Sequence, residues 1–452
     1  MNISVLPGSS LKGTVGKFGC PPIPGDKSLS HRSALFAAMA EGESRIENFQ
    51  VSGVTRVMLD ALSSLGISMS LSDNVLEVTG MGLSGFKSTS SPVYCGNSAT
   101  TLRLLAGSLA ATGVYAALDG SDGLRRRPMN RIVEPLQLMG VPISASNDGT
   151  APLILAARDS NKKLKALDYT LPVASAQVKS CLLLAALSAG GPSFVREPER
   201  SRDHTERMLA SMGVNIITNE KEIEGKRFIQ TCLFPLTSGH LTPLRISLPG
   251  DTSAAAFLIV AALITPGSKI SIPDVGLNPT RTGLLDVLQQ MGANIEISEE
   301  HIQGGEPVGT LTITESELHG IEVGGELVVR MIDEFPIFAV AAAYARGKTI
   351  VRNAEELRFK ESDRIGRLCA ELFKLGVDIQ ETEDGFIIGG GKRLKGGTVQ
   401  PSGDHRLAMS LMVAGLAAGE QLVVEGAEMA GESFPEFSNI LLSLGANVRL
   451  EG

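Results

Sequence analysis

The chain has 452 residues, 43% hydrophobic and 20% charged, with a formal net charge of −8 and no Trp. That length implies two or more domains, and the acid excess argues against nucleic acid or an anionic membrane as a partner, so an anionic ligand would need a local cationic pocket. Five dispersed cysteines (Cys20, Cys95, Cys181, Cys232, Cys369) without a CxxC pair, and six scattered His without HExxH, support neither a disulfide framework nor a zinc site.

The first residues lack a basic stretch followed by a long apolar run. The longest apolar runs, such as "AAAFLIVAALI", fall short of the roughly 18–20 residues that cross a bilayer. A cytoplasmic location is expected. A strand-like segment, "SSLKGTVG", comes first and has no helix of its own. Next comes "PGDKSLSHRSALFAAMAEG", in which Ser28 or Asp26 caps a helix and Ser33 to Ala40 supply its buried face. Lys27 and Arg32 do not fit that reading alone, because cations in a first turn oppose the helix dipole.

From here the chain repeats itself. The phrases "LDALSSLGISM", "VEPLQLMGVPI", "ERMLASMGVNI", "LDVLQQMGANI", "CAELFKLGVDI" and "NILLSLGANV" each read as an amphipathic helix stopped by a Gly that leads into a strand. The six glycines are Gly66, Gly140, Gly213, Gly292, Gly376 and Gly445, a spacing that suits a β-α-β-α-β-β unit. Upstream of each lies a second helix, apolar nearly all round, that opens on polar residues: "GDKS", "GNSAT", "ASAQVK", "GDTS", "IDEF" and "GDHR". Six units divide into two groups of three, with the boundary near Leu244 to Ser247.

The openings and the loops after them are rich in cations: Lys27, Arg32, Arg103, Arg125, Arg126, Arg127, Lys179, Arg202, Arg358, Lys360, Arg364 and Arg406, against the acids Asp333 and Glu361. A single surface cation is usually just solvated. Recurrence at one level of a repeat argues for more: helix N-termini and arginine forks together make a site for a small polyanion. Neither a P-loop nor a strand-anchored GxGxxG is present, so a nucleotide is not indicated.

These residues carry a resemblance. The chain resembles the 5-enolpyruvylshikimate-3-phosphate (EPSP) synthase family, and within it the class II, glyphosate-tolerant bacterial type. The motifs are Gly-Asp-Lys at 25–27, Ser-Ala-Gln with Lys at 175–179, Arg-x-His-x-Glu at 202–206 and Asn-Pro-Thr-Arg at 278–281, with "RRPM", "KESDR" and "SFPEF" in the expected order. The resemblance implies a two-domain inside-out α/β barrel of the enolpyruvyl transferase type, with six β-α-β-α-β-β repeats, three per domain. Residues 20–245 would form the first domain, and 1–19 plus 246–452 the second, with the active site in the interdomain cleft and hinges near Cys20 and Leu244.

It further implies transfer of the enolpyruvyl group of phosphoenolpyruvate to the 5-hydroxyl of shikimate 3-phosphate, releasing phosphate through a tetrahedral intermediate, in aromatic amino acid biosynthesis. No metal or organic cofactor is implied, and a monomer is expected. Asp333, Glu361 and Lys27 match the catalytic positions. Lys27, Ser28, Arg32, Ser175, Ala176, Gln177, Arg202, Asp333 and Lys360 match those holding shikimate 3-phosphate. Lys27, Asn97, Ala99, Arg127, Gln177, Arg364 and Arg406 match those around phosphoenolpyruvate.

Ser201, His204, Glu356 and Glu432 depart from the class I pattern, and Glu432 is given no role. Ala99 replaces a Gly, and its methyl is expected to weaken glyphosate inhibition. Two alternatives stand beside this reading. UDP-N-acetylglucosamine enolpyruvyl transferase shares the architecture, but opens on Gly-x-Lys-Asn and carries a Cys in the loop where this chain has "DGLRRRPM". A non-enzymatic repeat scaffold would not call for Asp333 and Glu361 among cations.

Overall fold

The computed structural model describes residues 1–159, 162–236 and 240–451. The chain divides into two compact units, one formed by Gly25–Leu248 with Gln303–Gly305, the other by Met1–Pro24, Pro249–Ile302 and Glu306–Gly452. Each unit has its own continuous apolar core, built mainly of Leu, Ala, Val and Ile, with Phe and Met among them.

Among the described residues, six four-stranded sheets share one plan, a parallel pair followed by two antiparallel strands. In the third repeat, Asp168–Thr170 runs parallel to Ser193–Glu197, which pairs with Lys226–Leu233 and then Ile216–Ile223. The parallel pair demands a crossover, and the buried helix supplies it. Three sheets borrow a strand from elsewhere in the chain. Arg245–Ser247 pairs with Glu41–Glu47, which places the division of the chain after Leu248. Lys12–Thr14, within "SSLKGTVG", pairs with Lys269–Gly276. Asn2–Leu6 inserts between Leu422–Glu425 and Asn447–Glu451, a strand the sequence pattern did not announce.

Among the described residues, six buried helices each lead into the first strand of an antiparallel trio: Lys27–Met39, Ala99–Thr112, Ala176–Ala186, Thr252–Ile264, Phe335–Tyr344 and His405–Leu416; the second, third, fifth and sixth are crossovers between parallel partners. All thirteen residues of Thr252–Ile264 are buried, so that helix is apolar all round because no face meets water. Five of the six carry a side-chain cap, from Asp26, Ser98, Ser175, Asp251 and Asp404, each accepting a backbone N–H of the first turn. The fifth helix starts at Phe335 after Glu334, which makes no such bond.

The second helix of every repeat ends as the sequence suggested. Gly66, Gly140, Gly213, Gly292, Gly376 and Gly445 all have φ between 83° and 103°. The residue after each glycine donates back to a Leu carbonyl five positions earlier, from Ile67 to Leu62 at 3.1 Å through Ala446 to Leu441 at 2.9 Å. That pattern closes the helix with a left-handed residue that only glycine adopts without strain. Among the described residues, no helix is long and apolar enough to cross a membrane.

Candidate active site

In the 249–452 unit, the charged residues of the openings converge. Arg364, 1% exposed, is the first residue of the Arg364–Lys374 helix, and its Nε donates to Asp404 Oδ2 at 2.8 Å. Its Nη2 donates to Glu361 Oε2 at 2.7 Å, and its Nη1 lies 3.5 Å from Asp333 Oδ1. Arg406, in the first turn of His405–Leu416, places Nη2 3.6 Å from Asp333 Oδ2, while its Nη1 donates to the Asp333 carbonyl at 3.1 Å. Asp333 thus sits between two arginines that arrive from different repeats.

Asp404 is the anchor beneath them. Its Oδ1 caps Arg406 N at 2.9 Å, and its Oδ2 also accepts from Ser362 Oγ at 3.1 Å. Burial pushes the Asp404 carboxyl up, but Arg364 outweighs burial and holds it below the usual carboxylate range. Arg364 stays charged for the complementary reason: burial opposes its charge, while Asp404 and Glu361 more than restore it. Lys360 is different. Loss of solvent lowers its ammonium pKa, Arg364 repels it, and Asp333, Glu361 and Glu356 only partly compensate.

Two neighbours were not foreseen as parts of this assembly. Glu334, buried, accepts from Ser253 Oγ and lies 3.6 Å from Arg406 Nη1. Arg281, the last residue of the Asn-Pro-Thr-Arg motif, donates to Ser253 Oγ at 2.8 Å and meets Asp251 Oδ1 at 3.2 Å. Glu432 is half-exposed, with Oε2 3.8 Å from Nδ1 of the buried His405.

The 25–248 unit holds the other candidates. Asp26 Oδ1 accepts from Leu29 N at 2.8 Å, so Lys27 and Ser28 open the first buried helix half-buried. Arg32 is buried one turn on, held by Thr205 Oγ1 at 2.8 Å, Ser180 Oγ at 3.0 Å and the Ser28 carbonyl at 3.0 Å. Ser175 caps the third buried helix; Ala176 and Gln177 follow it. Gln177 is fixed at both ends of its amide, accepting from Arg103 Nη1 at 2.6 Å and donating to Thr100 Oγ1 at 2.9 Å.

Asn97 is exposed beside Ser121, Ala99 is the buried first residue of the second helix, and Arg127 and Arg202 are half-buried.

Some cations of the openings are committed to acids of the chain itself. Lys179 was read among them, yet it is 1% exposed, with Nζ 2.7 Å from Glu197 Oε1 and 2.8 Å from Glu206 Oε1. These two acids hold its pKa above the ordinary lysine value against the opposing effect of burial. Glu197 also accepts from Ser201 N and Oγ at 3.0 and 2.5 Å, so Ser201 and, through Glu206, the first turn of the His204–Ser211 helix are fastened to the third buried helix. Arg125 pairs with Asp119, and Arg358 with Asp363 and Glu381. The acids of Lys179 lie 18 and 27 residues along the chain and carry no local signal, whereas Arg125 and Arg358 each have an acid only six and five residues away. Glu206 and Arg281 do belong to the quoted motifs, so the motifs mark them while leaving their partners hidden.

Six repeats of this plan define an α/β protein of the enolpyruvyl transferase fold. The solved enolpyruvyl transferase NikO of Streptomyces tendae shares it, with a TM-score of 0.77 at 19% identity over 99% of this chain and 98% of its own. EPSP synthase of Acinetobacter baumannii gives a TM-score of 0.85 at 39% identity, covering 100% of both chains. The curated 3-phosphoshikimate 1-carboxyvinyltransferase of Syntrophomonas wolfei is 45% identical over 435 residues, 96% of this chain and 97% of its own length. That of Salinibacter ruber is 46% identical over 432 residues, 95% and 96% of the two lengths. The family described as EPSP synthase (3-phosphoshikimate 1-carboxyvinyltransferase) matches residues 7–441. The chain belongs to that family and is an enzyme of the carboxyvinyltransferase class.

Proposed function

We propose that this enzyme transfers the enolpyruvyl group of phosphoenolpyruvate to the 5-hydroxyl of shikimate 3-phosphate and releases phosphate. The observation that carries the mechanism is Asp333 set between Arg364 and Arg406, with Glu361 bonded to Arg364. A carboxylate so placed can take the proton of the attacking hydroxyl while the arginines grip carboxylate and phosphate. Addition protonates the methylene carbon of phosphoenolpyruvate and joins the hydroxyl oxygen to its C2. Elimination then removes a methyl proton and breaks the C–O bond to phosphate. Glu361 and Lys27 serve these two proton transfers, and the fixed guanidinium charges stabilise the intermediate without reorganising.

Shikimate 3-phosphate is assigned to Lys27, Ser28, Arg32, Ser175, Ala176, Gln177, Arg202, Asp333 and Lys360. Phosphoenolpyruvate is assigned to Lys27, Asn97, Ala99, Arg127, Gln177, Arg364 and Arg406. Phosphate release that needs both substrates tests this reading; release without shikimate 3-phosphate, or none at all, sinks it.

Ala99 supports a second feature, weak inhibition by glyphosate, because its methyl adds bulk at a position assigned to phosphoenolpyruvate. Glyphosate should inhibit only well above the KM of phosphoenolpyruvate, and Ala99→Gly should sharpen inhibition. Half-inhibition near that KM in the unaltered enzyme would remove the claim.

A further inference from the structure

Glu334 stands where the other five buried helices have a capping residue, yet it bonds to no N–H of its own helix. It is 2% exposed, its Oε1 accepts from Ser253 Oγ, and its Oε2 makes no hydrogen bond among the described residues. Burying a carboxylate with one oxygen unpaired is unfavourable unless a cation beside it compensates. A glutamine would accept the same hydroxyl with the same shape, so neither the Ser253 bond nor packing requires a charge here. What the charge does is balance Arg406, whose Nη1 lies 3.6 Å away.

Arg406 is therefore held from two directions, by Glu334 and by Asp333, which meets its Nη2 at 3.6 Å and accepts from its Nη1 through the backbone carbonyl. Glu334 is itself held. Ser253 takes a bond from Arg281 Nη2 at 2.8 Å, and Asp251 Oδ1 lies 3.2 Å from the same nitrogen. Arg281 ends a tetrapeptide fixed by its own side chains: Asn278 Oδ1 accepts from Thr280 N at 2.9 Å, and Asn278 Nδ2 donates to Glu306 Oε2 at 2.7 Å. The relay Arg281–Ser253–Glu334–Arg406 links the loop after one repeat's strand to the openings of three buried helices.

We propose that Glu334 is a positioning residue for phosphoenolpyruvate: held through Ser253 by Arg281, it orients and charge-balances Arg406, and so sets the affinity for the anionic group that Arg406 grips. This rests on the assignment of Arg406 to phosphoenolpyruvate made above. Glu334→Gln keeps the shape and the Ser253 bond but removes the charge. Steady-state kinetics should show the KM for phosphoenolpyruvate rising about fivefold or more, the scale of one weakened charge-assisted contact. The KM for shikimate 3-phosphate and the thermal unfolding midpoint should stay unchanged. Ser253→Ala should move the same KM in the same direction by less, and it carries the test should Glu334→Gln fail to fold.

An unchanged KM for phosphoenolpyruvate overturns the proposal, as does a parallel rise in both KM values. Arg406→Lys separates the two levels of inference. If it leaves the KM for phosphoenolpyruvate unchanged, the assignment of Arg406 fails; if only the Glu334 and Ser253 variants do so, the relay fails alone.

Discussion

Asp333 keeps about a fifth of its side chain open to solvent while its carboxylate faces two guanidinium groups, so its replacement should touch chemistry more than folding. Asp333→Asn is expected to lower turnover by about 10²-fold or more, the scale of a lost general base, and to lower calorimetric affinity for shikimate 3-phosphate by far less than it lowers turnover. Near-normal turnover would remove it from the mechanism. Lys179 is the opposite case. Lys179→Met leaves Glu197 and Glu206 buried without their cation, which should destabilise the protein by about 3 kcal/mol or more in denaturant unfolding. A loss within ~0.5 kcal/mol would show that the carboxylates find other partners. Lys360 gives a pH signature. Its ammonium pKa is depressed below 10.5, so the charged form is lost at lower pH than for an ordinary lysine. The KM for shikimate 3-phosphate should therefore rise on an alkaline limb centred below 10.5, and Lys360→Arg should abolish that limb. If the limb persists in Lys360→Arg, another group causes it.

The helices were legible because their signals are local. Asp26, Ser98, Ser175, Asp251 and Asp404 cap within three residues of themselves, and the six closing glycines need only their own φ. Glu334 was not legible as a relay, because its partners Ser253 and Arg406 come from other repeats. The same applies to Lys179, whose acids lie 18 residues or more along the chain. At this scale a paired substitution separates backbone strain from crowding. Gly140, with φ +85°, has nothing within 4 Å of an added Cβ, so Gly140→Ala should cost about 1 kcal/mol from the left-handed backbone alone. At Gly66 a Cβ would lie 2.7 Å from Lys87 Cδ, a flexible chain that can swing away, so Gly66→Ala should cost little more. Thermal unfolding of the pair checks this; a large gap would mean that Lys87 cannot move.

Across the whole molecule, the repeat plan could be read from sequence but its ends could not. "SSLKGTVG" reads as a strand without a helix of its own, and the structure pairs its Lys12–Thr14 with Lys269–Gly276. Asn2–Leu6 is five residues long with no periodic neighbour, and its partners are more than 400 residues away, so nothing nearby betrays it. Because it occupies an interior position in its sheet, deleting residues 1–6 should abolish cooperative unfolding of the 249–452 unit. An unaltered unfolding curve would show that the sheet closes without it. The candidate site was legible through its motifs, whose residue types declare anion chemistry. Which arginines are fixed, and by what, emerged only from packing.

The most direct test of the functional reading is inorganic phosphate release by the purified enzyme, given phosphoenolpyruvate with shikimate 3-phosphate or with UDP-N-acetylglucosamine. Release with shikimate 3-phosphate alone as acceptor, lost in Asp333→Asn, is the predicted result. Release with the nucleotide sugar, or undiminished release from Asp333→Asn, would contradict it.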